Sequence, residues 1–89
     1  MDTRALIGWN LRKLRVGRGL SQERLALEAG IDRAYVGRVE RGEENVTTAV
    51  LDAFASVLDT HVRDFFAVVP EGEKFPEPLR PGRKASSDR

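Results

Sequence analysis

The stretch from Ser21 to Gly42, SQERLALEAGIDRAYVGRVERG, constrains the fold more than any other part of the chain. Ser21 is a strong helix N-cap, and Leu25, Ala26 and Ala29 follow it at helical spacing. Gly30 comes next, where a helix can end and the chain can turn with a positive φ at little steric cost. Ile31 returns to the core, and Asp32 caps a second helix whose inward residues are Val36 and Val39. Gly42 stops that helix. The pattern predicts one helix over Gln22–Ala29, a tight turn, and a second over Arg33–Arg41.

Two short helices joined by a glycine turn of this length form a helix-turn-helix unit. The outward face of the second helix carries Arg33, Ala34, Tyr35, Arg38 and Arg41. A helix too short to stand alone, with arginines on its outer face, suits a groove of DNA. The stretch resembles the helix-turn-helix of phage repressor and Cro proteins and their bacterial XRE-type relatives. The residues that carry the resemblance are Ser21-Gln22, Leu25-Ala26, Gly30, Tyr35-Val36, Arg38 and Glu40-Arg41-Gly42. It extends from about Ile7 to Phe66 and is similar to small stand-alone regulators, including restriction–modification controller proteins. The fold it implies is all-α: a compact five-helix bundle of the lambda-repressor-like type, with the helix-turn-helix at helices 2 and 3.

Eighty-nine residues allow one domain with a small core. There is no cysteine and only one histidine, His61, so a metal site has no evident ligand set and a catalytic set has no evident partner for the imidazole. No run of about 18 apolar residues predicts a membrane span. MDTRALIGWN lacks the long apolar segment of a signal peptide, which makes a cytoplasmic location the expectation. The net charge of +1 hides an asymmetry. Residues 1–41 hold nine Lys/Arg against five Asp/Glu, whereas residues 42–69 hold one against five. The basic excess thus coincides with the helices that would face DNA.

A first helix is predicted from about Thr3 to Val16, with Ile7, Leu11 and Leu14 as its core stripe and Gly17-Arg18-Gly19 ending it. Trp9 falls on the opposite side with Ala5 and Val16. An exposed tryptophan calls for the C-terminal tail or a subunit partner as cover, or is an adhesive surface in its own right. Thr47 caps a fourth helix that turns Leu51, Phe54, Ala55 and Leu58, and partly Val50, inward. Thr60 can cap a short fifth helix ending near Phe66. Phe65 and Phe66 are adjacent and cannot both face one core, so one of them is expected at a subunit surface.

The resemblance assigns roles residue by residue. Gln22 would fix the protein on the phosphate backbone. Arg33, Ala34 and Arg38 would read base edges, since arginine fits the paired acceptors of guanine and alanine the thymine methyl. Tyr35 would touch phosphate or sugar, and Arg41 completes the basic face. Arg15 would pair with Glu40 and tie the first helix to the reading helix. The family tends to carry basic residues in the loop after the reading helix. Here Glu43 and Glu44 depart from that pattern, leaving Asn45 and Thr47 as the loop's DNA contacts. The dimer surface carried over from the family comprises Val62, Phe65, Phe66 and Val68.

These readings divide the chain into a DNA-binding and dimerisation domain, residues 1–69, and a Pro- and charge-rich tail, residues 70–89, expected to be flexible. The expected function is that of a sequence-specific transcriptional regulator, binding double-stranded DNA as a homodimer on a two-fold related operator. No cofactor, metal or small-molecule ligand is expected, and no enzyme activity. The alternative is an antitoxin-like or adaptor module, with Trp9 and the Phe75–Leu79 segment serving a protein partner. A third arrangement has Phe75–Leu79 folding back over Trp9, Ala5 and Val16.

Overall fold

The computed structural model describes residues 1–76. Among them are four α-helices and no strand: α1 (Thr3–Gly17), α2 (Gln22–Ala29), α3 (Arg33–Glu40) and α4 (Thr48–Leu58). The fifth element, Val62–Phe66, is a 3-10 turn rather than a fifth α-helix. Its five residues are too few to repay α-helical nucleation. No helix among the described residues is long and apolar enough to cross a membrane.

Local side-chain chemistry starts each helix. Asp2 accepts from the Ala5 N–H at 2.9 Å, Ser21 from Arg24 at 2.9 Å, Asp32 from Tyr35 at 3.3 Å and Thr47 from Val50 at 3.2 Å. Each satisfies one donor that the first turn leaves without an intrahelical partner. At the last element His61 takes the cap position, and Thr60 donates to the Asp64 carboxylate instead. That bond, together with the His61 N–H, holds the Asp64 carboxyl below its ordinary range.

The core is built from Ile7, Leu11, Leu25, Val36, Val39, Leu51, Phe54, Leu58 and Phe65, with Ala26 and Ala55 between them. Helix α1 lies against α3 and the 3-10 turn, and α2 lies against α3 and α4. The crossing of α1 over α3 is close because residue 8 has no side chain. A Cβ at Gly8 would stand 2.3 Å from the Val39 carbonyl oxygen and 2.7 Å from that of Glu40. The sequence marks Gly8 only as a weak helix former; its place at this contact gives it a purpose.

The packing decides among the alternatives left open for Trp9 and corrects one expectation, that for Phe65. Trp9 is 6 % exposed and is not a surface residue. Chain 68–75 returns along its side of α1, placing Val68, Val69 and Pro70 near the indole. The Phe75 ring lies 6.4 Å from that of Trp9, and Arg12 stacks on Phe75 at 4.4 Å. Lys13 reaches Glu73 at 3.2 Å across the same strap. Leu79, expected in this cover, lies outside the described residues, as does the rest of the predicted tail beyond residue 76. The correction concerns Phe65, which is expected at a subunit surface but is wholly buried in the chain's own core, leaving Phe66 as the exposed member of the pair. Asn10 fixes this arrangement, donating to the carbonyls of Phe65 at 3.0 Å and Ala67 at 2.9 Å.

Candidate nucleic-acid interface

The turn between α2 and α3 is set by Gly30, which closes α2 in the left-handed conformation with φ 71°. Ile31 then donates back to the Ala26 carbonyl at 2.9 Å, and Asp32 opens α3. This fixes the crossing of the two helices, and Val36 and Val39 turn inward from α3. The opposite face is left to solvent.

One buried polar network holds α3 in place. Arg15 of α1 donates from Nε to Glu40 Oε2 at 2.6 Å and from Nη2 to Oε1 at 2.9 Å. Its Nη1 bonds the Leu20 carbonyl at 2.7 Å, so the guanidinium also ties down the α1–α2 turn. The two side chains are 3 % and 1 % exposed. Two parallel bonds to one carboxylate fix orientation as well as distance. Gln22, from the start of α2, adds a third bond to Glu40 at 2.9 Å. It also passes Gly37, where a Cβ would stand 3.7 Å from the Gln22 Oε1, an ordinary contact, and 3.2 Å from the Arg41 Nη1, the end of an exposed side chain, so this packing does not itself require glycine. The Gln22 amide is therefore anchored at one end inside the protein and lies at the edge of the outer face.

The outer face presents Arg33 and Ala34, both exposed, in the first turn of α3. Arg33 meets no carboxylate within ion-pair distance among the described residues. Tyr35 is half-buried and packs its ring against the core edge. Arg38 is different. Its Nε donates to Glu44 Oε2 at 2.6 Å, and its guanidinium carbon lies 5.7 Å from the centre of the Tyr35 ring. The bond to Glu44 raises the Arg38 pKa further above neutrality. Arg41, the C-cap, pairs with Glu43 at 3.2 Å. Asn45 is exposed, and Thr47 is exposed with its oxygen accepting the α4 cap bond.

The two loop glutamates therefore turn back onto the α3 arginine and the arginine that caps that helix. Sequence spacing did not reveal this, because residues six apart are not neighbours on a helix. The turn at Gly42, with φ 75°, brings them together. At and after the 3-10 turn, Phe66 is 41 % exposed and Val68 88 % exposed, with Val62 half-buried beside the core.

The comparisons with known proteins agree with this architecture. The helix-turn-helix family model HTH_3 matches residues 11–65. The chain is 44 % identical over 62 residues to control protein C.SmaI of Serratia marcescens, covering 70 % of this chain and 74 % of that one. It is 42 % identical over 57 residues to a hypothetical transcription factor of Neisseria meningitidis, covering 64 % of this chain but only 54 % of the relative. Among solved structures, the restriction-modification controller protein C.AhdI from Aeromonas hydrophila superimposes with a TM-score of 0.69 at 46 % identity. That match covers 71 % of this chain and 96 % of C.AhdI. The chain belongs to the XRE-type helix-turn-helix family of DNA-binding transcription regulators.

Proposed function

We propose that the protein is a compact controller-type regulator that binds a two-fold related operator as a homodimer, with α3 in the major groove of each half-site. The observation that carries this reading is the seating of α3. A helix of eight residues is locked to α1 and α2 through Glu40, while Arg33 and Ala34 face outward from its first turn. Base reading needs a short helix held rigidly with side chains of its outer face open to solvent, and Arg33 and Ala34 meet that need. Arg33 and Arg38 are five residues apart, about 7.5 Å of helix rise or roughly two base-pair steps, so they serve different base pairs. Gln22, Tyr35, Arg41, Asn45 and Thr47 contact the phosphate backbone. The controller proteins among the relatives support the assignment to a small stand-alone regulator.

Exposed Phe66 and Val68, with Val62, form the dimer surface, because one protomer reaches only a single half-site. Phe66→Asp is expected to leave the fold intact and give a monomer with poor operator affinity, measured by sedimentation and DNA titration. The decisive experiment is selection from random duplex DNA. The wild type is expected to recover a two-fold related site with at least one guanine per half-site. Arg33→Ala or Arg38→Ala costs about 1–3 kcal/mol per half-site and relaxes preference at one position. If both variants recover the wild-type site with unchanged base preferences, the arginines touch only phosphate and the base-reading assignment is wrong.

A further inference from the structure

We infer that Glu44 is a specificity-determining residue: it holds Arg38 by the Nε edge so that the guanidinium serves a guanine and disfavours a phosphate. The inference rests on the reading of Arg38 as a base contact. Arg38 carries five N–H donors in a fixed fork. Glu44 occupies the Nε–H, at 2.6 Å. The same guanidinium stands 5.7 Å from the centre of the Tyr35 ring, its second neighbour. The terminal nitrogens then remain for an end-on pair of acceptors, and the major-groove edge of guanine offers that pair in O6 and N7. Holding the side chain before DNA arrives also lowers the entropy lost on binding.

Charge completes the selection. A phosphate attracts arginine chiefly through its negative charge, so a carboxylate on the same guanidinium cancels part of that attraction and repels the phosphate directly. The acceptors of guanine carry no net charge and lose much less. Glu44 therefore lowers binding to arbitrary DNA more than binding at the correct base. Arg33, which has no carboxylate at ion-pair distance among the described residues, lacks this filter. The Arg41–Glu43 pair lies at the helix end and is longer, at 3.2 Å. Of these three arginines, Arg38 alone has both the carboxylate and the ring.

The test uses the full chain with Glu44→Gln, which keeps shape and removes the charge, beside Arg38→Ala and the double variant. Each is titrated with the selected operator, with the operator changed at the Arg38 base pair, and with random duplex, over a salt series. For Glu44→Gln the expected result is tighter binding to random DNA and a salt slope steeper by up to about one per half-site. Discrimination at the Arg38 base pair should fall by about tenfold. In the Arg38→Ala background, Glu44→Gln should leave discrimination at that base pair unchanged. If Glu44→Gln tightens operator and random DNA by the same factor while base preference is intact, Glu44 only tunes charge and the inference is overturned. If Arg38→Ala itself leaves base preference intact, the base-reading role of Arg38 fails and the Glu44 inference fails with it.

Discussion

Arginine meets glutamate twice around α3, with opposite consequences. Arg15 and Glu40 are 3 % and 1 % exposed and share two bonds, with Gln22 and the Leu20 carbonyl taking further hydrogen-bonding positions. Arg38 and Glu44 are 42 % and 26 % exposed and share one bond. The buried pair has no water to fall back on, so each member is committed to the other. The surface pair keeps water and free terminal donors on the arginine, so a further partner can be added beside Glu44 at small cost. The same two residue types thus serve as a fastening on the inner side of the helix and as an adjustable contact on the outer side.

The largest expected effect tests the fastening. Arg15→Ala or Glu40→Ala leaves a buried charge without its partner and should cost about 3–5 kcal/mol of stability, read by denaturant unfolding. The double variant should cost much less than the sum of the two. Additive losses would break the comparison, since they would mean that the two groups do not depend on each other in the folded state.

A smaller effect asks whether the ion pair or steric fit sets the position of α3. Gly8→Ala places a methyl carbon 2.3 Å from the Val39 carbonyl oxygen, which is backbone and cannot swing aside. Parting α1 from α3 should cost about 1–3 kcal/mol and lengthen the Arg15–Glu40 bonds. Gly17→Ala is the matched control, because a Cβ there meets nothing within 4 Å. It should be neutral or slightly stabilising through the better helix propensity of alanine. Equal melting temperatures for the two variants would show that the close crossing does not constrain the fold.

What could be read from the sequence divides along the same line. Helices α2 to α4 are legible because their caps are local: Ser21, Asp32 and Thr47 act on residues three positions ahead, while α1 is legible from its stripe of Ile7, Leu11 and Leu14. The inward stripes of α2, α3 and α4 followed from periodicity. The helical wheel puts Trp9 on the side of α1 away from Ile7, Leu11 and Leu14 but leaves its cover open, because it locates a side chain only relative to its own helix. The strap 68–75, more than fifty residues later, supplies that cover, and Phe75 within it belongs to one of the alternatives the sequence offers. Gly8 and Asn10 were missed for the same reason, since their partners are carbonyls of distant segments. At the interface, the composition of the outer face was visible, and the pairing of Arg15 with Glu40 came from the family resemblance. The return of Glu44 onto Arg38 was not visible, because it depends on the path of the chain at Gly42.

The smallest expected effect calibrates the outer side. Arg41 and Glu43 are 58 % and 52 % exposed and 3.2 Å apart. A pair this wet gains little from Coulomb attraction and gives up side-chain freedom to form, so its coupling should lie at about 0.2–1 kcal/mol. It should also fade in salt, because at 1 M the screening length is about 3 Å, no longer than the pair itself. The measurement is a double-mutant cycle on Arg41→Ala and Glu43→Ala at low and high salt, run beside the Arg15–Glu40 cycle. The surface coupling should vanish in salt while the buried coupling persists, because ions do not enter the space between α1 and α3. If the Arg41–Glu43 coupling exceeds 1 kcal/mol and survives 1 M salt, exposure is not what separates the two kinds of pair. Geometry would then have to explain the difference, and the loop glutamates would count as part of the scaffold of α3.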